Sequence, residues 1–252
     1  MSDPFEIAVL VVLGLLVGSF LNVVIHRLPL GESLVTPRSR CVACGVPIAA
    51  YDNVPVISWL LLRGRCRHCG TAFSARYPAI EALTGTLFGA VAAIRGVDGE
   101  LALELPFVAL MIAVAAIDLE HRIVPNKLLA PAAVWALVGW ALVDPGFLPE
   151  ALAAGAGAFT FLLVAALAHP AGMGMGDVKL AGVMGLYLGL SVIPALMVAF
   201  LAGSAVGVAM IAREGSGARK KGVPFAPFLA LGGVVGVLVG GDLISLYADR
   251  FL

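Results

Sequence analysis

The stretch LALELPFVALMIAVAAIDLEHRIVPN, residues 101–126, decides the class of fold. Its first seventeen residues are almost wholly apolar, and about 20 such residues are enough for a helix to cross the hydrocarbon core of a bilayer. The run stops at Asp118, so a carboxylate stands where the helix would leave the membrane. This stretch therefore predicts a membrane helix with an ionisable group at its end.

The rest of the chain repeats this apolar pattern. Of its 252 residues 61% are hydrophobic and 13% are charged, whereas soluble domains have about 25% charged residues. We predict an all-α polytopic membrane protein with about eight transmembrane helices, the first of them retained. We expect Pro194 to separate the sixth helix from the seventh. The predicted spans are 5–25, 78–94, 101–117, 128–143, 148–168, 178–190, 192–212 and 226–247.

The distribution of basic residues predicts the orientation in the bilayer. Lys and Arg are enriched in cytoplasmic loops. If both termini lie outside, every one of the sixteen basic residues except Arg95 and Arg250 falls on the cytoplasmic side, the cluster Arg219–Lys221 included. The formal net charge of zero gives no sign of a nucleic-acid partner.

One polar segment, residues 27–77, contains all the cysteines. They form two C-x2-C pairs, each followed by glycine, and such paired knuckles give a tetrahedral cage for zinc. A closed set of four thiolates leaves no position for a reacting water, so the metal would be structural. Two disulfides or four free thiols are the alternatives, and a cytoplasmic location disfavours disulfides. The predicted ligands are Cys41, Cys44, Cys66 and Cys69. The expected divisions are a first helix over 1–26, this zinc domain over 27–77, and a membrane core over 78–252.

Three carboxylates are candidates for chemistry, because ionisable groups at membrane depth are costly. Asp118 ends the third span, and Asp177 opens the sixth in GMGMGDVKL, residues 172–180. At one depth the two could share a proton and act as base and acid, as in an aspartic peptidase. Alternatively, Asp177 is an N-cap and Asp118 a boundary charge. Glu81 is either a charge at a helix start or part of a polar site beside the cysteines.

Four motifs in order give the chain a resemblance to the type IV prepilin peptidases, bifunctional leader peptidases and N-methyltransferases. GSFLNVVIHRLP at residues 18–29 resembles their opening motif, and residues 41–85 resemble their zinc domain with its N-x-P-x-x-S and R-Y-P-x-x-E elements. AAIDLEHRIVPN resembles the first aspartate motif, although many relatives have aspartate at Asn126, where either residue suits a helix cap. GMGDVKL has the G-x-G-D signature of intramembrane aspartic peptidases.

The resemblance implies roles for particular residues. Asp118 and Asp177 would be the catalytic pair, while Gly174 and Gly176 would let the backbone approach the substrate or flex. Glu81 becomes a candidate for binding S-adenosylmethionine, the methyl donor. The implied substrates are type IV prepilins or pseudopilins at the bacterial inner membrane, whose basic leader is cut after a glycine before the new N-terminus is methylated.

Three other classes of protein compete with this interpretation. A transporter would be expected to have broken helices and charges near the bilayer midplane, and a non-catalytic assembly factor would not need paired aspartates. A zinc metallopeptidase would need an HExxH motif or an open metal site, and the sequence has neither.

Overall fold

A computed structural model describes residues 3–36, 38–169, 173–214 and 223–251. Within these ranges the chain is helical and contains no β-strand, only two isolated β-bridges. The expectation of an all-α protein is confirmed. Gly172 and the basic cluster Arg219–Lys221 lie outside the described residues.

The described part of the chain forms nine α-helices. Each of the eight apolar runs expected from the sequence falls in one of them, and the ninth is a short helix in the polar segment. The helices are α1 (Pro4–Arg27), α2 (Ile57–Leu61), α3 (Arg76–Arg95), α4 (Leu101–His121), α5 (Asn126–Val143), α6 (Leu148–Ala168), α7 (Met175–Leu188), α8 (Val192–Glu214) and α9 (Ala226–Phe251).

Seven helical segments are long and apolar enough to cross a membrane, if 175–214 is counted as one segment of 40 residues. That segment is interrupted by a 3₁₀ turn at Gly189–Ser191, between α7 and α8. Gly189 has φ +54°, and a Cβ there would come within 2.5 Å of the Glu150 carboxylate. The same carboxylate accepts a hydrogen bond of 2.9 Å from the Leu190 N–H, so the interrupted backbone keeps a partner.

The break lies at the expected boundary between residues 190 and 192, but Pro194, the residue expected to cause it, does not interrupt the helix. Pro194 is the third residue of α8. Proline is tolerated in the first turn of a helix because the N–H groups there have no intrahelical acceptor. The glycine with a positive φ is therefore the residue that ends α7.

The chain divides into two compact units, residues 1–97 and 98–252. In the first unit α1 packs along α3, and glycines allow their backbones to approach closely. A Cβ at Gly14 would lie 2.7 Å from the Thr84 carbonyl oxygen, and one at Gly18 would lie 2.7 Å from the Glu81 Cα. Small residues at such contacts are typical of helix pairs in membranes. The contact brings the Ser19 side chain of α1 within hydrogen-bonding distance of Glu81.

In the second unit α4 and α7 form the core. Helix α4 contacts α5, α7 and α9, and α7 also contacts α5, α6 and α9. Phe107 of α4 is fully buried and stacks on Tyr187 of α7 at a centroid distance of 4.8 Å. The helices that carry Asp118 and Asp177 are thus held against one another by direct packing.

Candidate active site and metal centre

Asp118 lies in the last turn of α4 and is 6% exposed. The helix ends just beyond it, where Arg122 adopts a left-handed conformation and donates its N–H to the Asp118 carbonyl oxygen at 2.9 Å. The Asp118 side chain accepts a hydrogen bond at Oδ2 from the N–H of Ala226, at 3.2 Å. Ala226 is the first residue of α9, so the start of one helix holds the carboxylate at the end of another.

Asp177 lies in the first turn of α7 and is 9% exposed. The N-cap of α7 is Gly174, and Asp177 is the third residue of the helix, with a carboxylate that accepts a hydrogen bond from the Gly174 backbone. The interpretation of Asp177 as an N-cap is therefore wrong. The Asp177 carboxyl group lies near enough to Asp118 for their charges to repel. Two buried carboxyl groups that repel one another resist being ionised together.

The two glycines of the G-x-G-D signature have different surroundings. A Cβ at Gly176 would lie 2.8 Å from the Cβ of Val124, in the segment between α4 and α5. Among the described residues, the nearest atom to a Cβ at Gly174 would be an Asp177 oxygen at 3.6 Å, an ordinary contact. Only Gly176 is required by packing, because it lets α7 approach the chain just after Asp118.

A further contact between the two aspartate motifs was missed by the sequence analysis. Lys179 Nζ donates to Asn126 Oδ1 at 3.1 Å. The N-cap of α5 is Pro125, and Asn126 makes no capping hydrogen bond, so its expected role as a cap is wrong. No local sequence pattern indicates this contact, because the two residues are 53 positions apart.

The four cysteines of the first unit form two knuckles with matching backbone geometry. The N–H of Cys41 donates to the Val46 carbonyl oxygen at 3.0 Å, and that of Cys66 donates to the Thr71 carbonyl oxygen at 2.8 Å. The glycines that follow the second cysteines, Gly45 and Gly70, have φ of +73° and +72°. Glycine adopts this left-handed conformation without strain, which explains its place after the second cysteine of each pair.

The sulfur atoms of the four cysteines suit a tetrahedral metal ion. All four lie within 4.8 Å of one another, and Cys41 Sγ is 3.7 Å from Cys69 Sγ. Zn–S bonds of about 2.3 Å in tetrahedral geometry place neighbouring sulfurs about 3.8 Å apart, whereas a disulfide needs about 2.05 Å. All four cysteines are free. Hydrogen bonds with Thr71 lower the pKa of Cys69 to about 6, whereas the pKa of Cys44 is raised to about 11, because the lowering effect of a hydrogen bond from the Val46 backbone is outweighed by desolvation and by hydrogen bonds with the other three cysteines.

Beside the knuckles the first unit contains a cavity of about 610 Å³. Its wall includes Glu81, which is 8% exposed and lies in the second turn of α3 rather than at the helix start. Glu81 Oε2 accepts the N–H of Val56 at 2.7 Å. Val56 has φ +61°, an unfavourable conformation for a β-branched residue. The carboxylate therefore holds a strained segment of the N-x-P-x-x-S element against α3.

Asp52 and Arg67, which carry opposite charges, also line the cavity. Arg67 donates to both carboxylate oxygens of Asp52, at 2.6 and 2.8 Å, and its guanidinium lies over the Tyr51 ring at 5.6 Å. The hydrogen bonds from Arg67 keep the pKa of Asp52 below its usual range. Asp52 and Arg67 thus join the second knuckle to the 3₁₀ turn at Ala50–Asn53.

Comparisons with known proteins agree with the four motifs. The family model of the bacterial peptidase A24 N-terminal domain matches residues 12–94, and that of the type IV leader peptidase family matches residues 105–212. A protein of Myxococcus xanthus named prepilin leader peptidase/N-methyltransferase is 40% identical over 221 residues, covering 84% of this chain and 65% of its own length.

Two further proteins of the same name match over more of their length. The one from Bacillus subtilis is 33% identical over 249 residues, covering 98% of this chain and 99% of its own. The one from Neisseria gonorrhoeae is 37% identical over 263 residues, covering 92% and 90%. No solved structure matches the chain significantly.

The fold and the paired carboxyl groups define a helical membrane protein of the aspartic-peptidase type. The matches assign it more closely: the chain belongs to the type IV leader peptidase family. This membership supports prepilin cleavage combined with N-methylation, and the resemblance drawn from the motifs is confirmed.

Proposed function

We propose that this chain cuts the basic leader from type IV prepilins or pseudopilins after a glycine on the cytoplasmic side, and methylates the new N-terminus with S-adenosylmethionine. The observation that carries the peptidase assignment is the pair Asp118 and Asp177. The two carboxyl groups are buried, come from adjacent helices and interact electrostatically.

The pair performs the cleavage by sharing one proton. The ionised member of the pair removes a proton from a water molecule, which attacks the carbonyl carbon of the scissile peptide bond. The protonated member donates a hydrogen bond to the oxygen that becomes negatively charged. The C–N bond then breaks, and the proton taken from water is passed by the aspartate that accepted it to the leaving amine nitrogen. Burial strengthens both interactions, because solvent screening is reduced. The hydrogen bond from Ala226 keeps the Asp118 carboxylate in place during these steps.

The cavity of the first unit is the proposed site for the methyl donor. Its volume of about 610 Å³ lies within the roughly 300–1,000 Å³ typical of ligand sites, and its wall offers the buried carboxylate of Glu81 and an unpartnered amide oxygen, Asn22 Oδ1. S-adenosylmethionine supplies an electrophilic methyl group on a sulfonium. The residues of the cavity bind this cofactor and exclude water from it.

The metal site and the location complete the proposal. Cys41, Cys44, Cys66 and Cys69 hold a structural Zn²⁺, since four thiolates complete its preferred coordination. The chain is a multi-pass protein of the bacterial inner membrane with both termini outside the cytoplasm. The distribution of basic residues supports the cytoplasmic placement of the cysteines and the aspartate pair.

A purified preparation tests the assignment directly. The protein in detergent is incubated with a prepilin and S-adenosylmethionine, and the product is analysed by mass spectrometry. We expect a shortened pilin that begins just after the leader glycine and has gained one methyl group. An intact prepilin after long incubation with folded protein would reject the peptidase assignment.

The two glycines of the signature give a matched pair of variants. We expect Gly176→Ala to reduce kcat for cleavage by roughly tenfold or more, because its Cβ would push against Val124 and displace Asp177, and misplacements of about 1 Å are costly to catalysis. Gly174→Ala has room for its methyl group, so it should preserve kcat and raise KM if the substrate backbone passes there. Steady-state cleavage rates separate the two, and equal kcat values would contradict the packing role of Gly176.

A further inference from the structure

A buried amide on the wall of the cavity has an acceptor without a donor. Asn22 of α1 is 3% exposed and lines the cavity. Its Nδ2 donates to the carbonyl oxygens of Gly18, at 3.3 Å, and Tyr77, at 3.1 Å. Its Oδ1 has no hydrogen-bond partner in the part of the chain that the structure describes.

The two carbonyl groups fix which end of the amide is the acceptor. If the oxygen and nitrogen of Asn22 were exchanged, its oxygen would face the oxygens of Gly18 and Tyr77 with no hydrogen between them. Both N–H bonds are therefore committed, and Oδ1 is the one polar atom of the side chain left for another group. Buried acceptors are costly when unpaired, so this position favours a ligand that donates hydrogen bonds.

A carboxyl group lines the same cavity. Glu81 of α3 lines the cavity and is 8% exposed. Gly18 of α1 packs directly on its backbone, since a Cβ there would lie 2.7 Å from the Glu81 Cα. Asn22 stands one helical turn beyond Gly18. The Val56 N–H donates to Oε2 and the Ser19 side chain also donates to this carboxylate, but neither donor carries a positive charge to balance it.

We propose that Asn22 Oδ1 and the Glu81 carboxylate bind the α-ammonium group of S-adenosylmethionine. A carboxylate together with a neutral acceptor is the partner set that a primary ammonium requires, since it brings three N–H donors and one positive charge. This inference rests on the proposed methyl-donor site and identifies the part of the cofactor that these residues recognise. The alternative occupant is the N-terminal amine that receives the methyl group. This amine must be uncharged when it reacts, whereas a carboxylate with a neutral acceptor stabilises a charged amine.

Equilibrium binding tests the proposal without any catalytic step. The affinities of S-adenosylhomocysteine and of its analogue with hydrogen in place of the α-amino group are compared by isothermal titration calorimetry on the full-length protein. We expect wild type to prefer the amine-bearing ligand by roughly tenfold or more, because charged hydrogen bonds are among the stronger ones. In Glu81→Gln and in Asn22→Ala this preference should fall towards unity, while the affinity for the analogue stays similar.

The variants are chosen so that loss of structure is separated from loss of recognition. Glu81→Gln keeps an amide oxygen for the Val56 N–H, so the loop remains held even if Asn22→Ala loosens α1 against α3. Val23→Ala shortens an apolar side chain on the same cavity wall and should weaken both ligands alike, leaving the preference intact.

Three results would overturn the inference. If Glu81→Gln weakens the binding of both ligands equally, Glu81 shapes the cavity and does not bind the ammonium group. Wild type could bind both ligands equally and yet prefer a pilin peptide to its N-acetylated form. That result would show that the site binds the amine that accepts the methyl group. Binding of neither ligand by folded wild type would reject the methyl-donor cavity itself, which is a failure of the proposed function.

Discussion

Replacing either Asp118 or Asp177 by asparagine will reduce prepilin cleavage by roughly 10³-fold or more. Acid–base catalysis by a positioned group contributes about 10²–10⁴-fold, and an amide can neither accept the proton of the attacking water nor donate one at the oxyanion. The pair acts as a unit, so the double variant should be hardly slower than either single variant. Single-turnover cleavage followed by mass spectrometry measures all three.

The loss of cleavage must be distinguished from a loss of folding. Removing one of two interacting buried carboxyl groups relieves repulsion, so the thermal midpoint in detergent should be no lower in Asp177→Asn than in wild type. Glu120→Gln is the matched control, since Glu120 lies two residues beyond Asp118 in α4 and its side chain is exposed. It removes a charge of the same sign and should cleave at the wild-type rate. Substantial cleavage by folded Asp118→Asn would leave these carboxyl groups as structural features only.

Stripping the metal from the cysteine cluster will abolish methylation and leave cleavage nearly unchanged. Structural zinc sites contribute about 10–16 kcal/mol to the folding of small domains, so the two knuckles should not persist without the ion. Cys41 and Cys66 line the cavity proposed for the methyl donor, and its wall would be lost with them. The aspartate pair belongs to the second unit and needs no metal for the proposed chemistry.

Metal content and the two activities are measured on the same samples. Wild type is expected to contain one zinc per chain, and Cys41→Ser or Cys69→Ser should contain little. His68→Ala is the matched control: His68 lies between the ligands of the second knuckle but is not among the clustered sulfur donors, so the variant should keep its zinc. Methylation at the wild-type rate by protein shown to be free of metal would contradict a structural role for the ion.

Much of the fold could be predicted because its signals are local in the chain. Apolar runs long enough to cross a bilayer give the helices, and C-x2-C-G gives each knuckle with its left-handed glycine. The sequence could not identify Gly189 as the residue that ends α7, because the chain contains 30 glycines. Only the contact with Glu150 in the folded protein shows which glycine ends this helix. Pro194 was misread because its effect depends on its place within the helix.

The candidate sites were predictable to a different degree. Asp118 and Asp177 stand out as carboxylates at the ends of apolar runs, and the structure brings them together. The Asn126–Lys179 hydrogen bond and the unpartnered oxygen of Asn22 depend on which residues meet across helices far apart in sequence. The strained backbone at Val56, held by Glu81, is likewise invisible in a sequence pattern, since nothing local requires a valine to adopt a positive φ.

The short length of α7 has a consequence for the access of water to the aspartate pair. Its 14 residues extend over about 21 Å, whereas the hydrocarbon core is about 30 Å thick. Most of α7 is buried against other helices, so the shortfall faces protein more than lipid, and non-helical chain is tolerated at that depth where it lines a hydrated recess. Asp177 lies in the first turn of this helix. A recess at that end would let water reach the carboxyl group without crossing lipid.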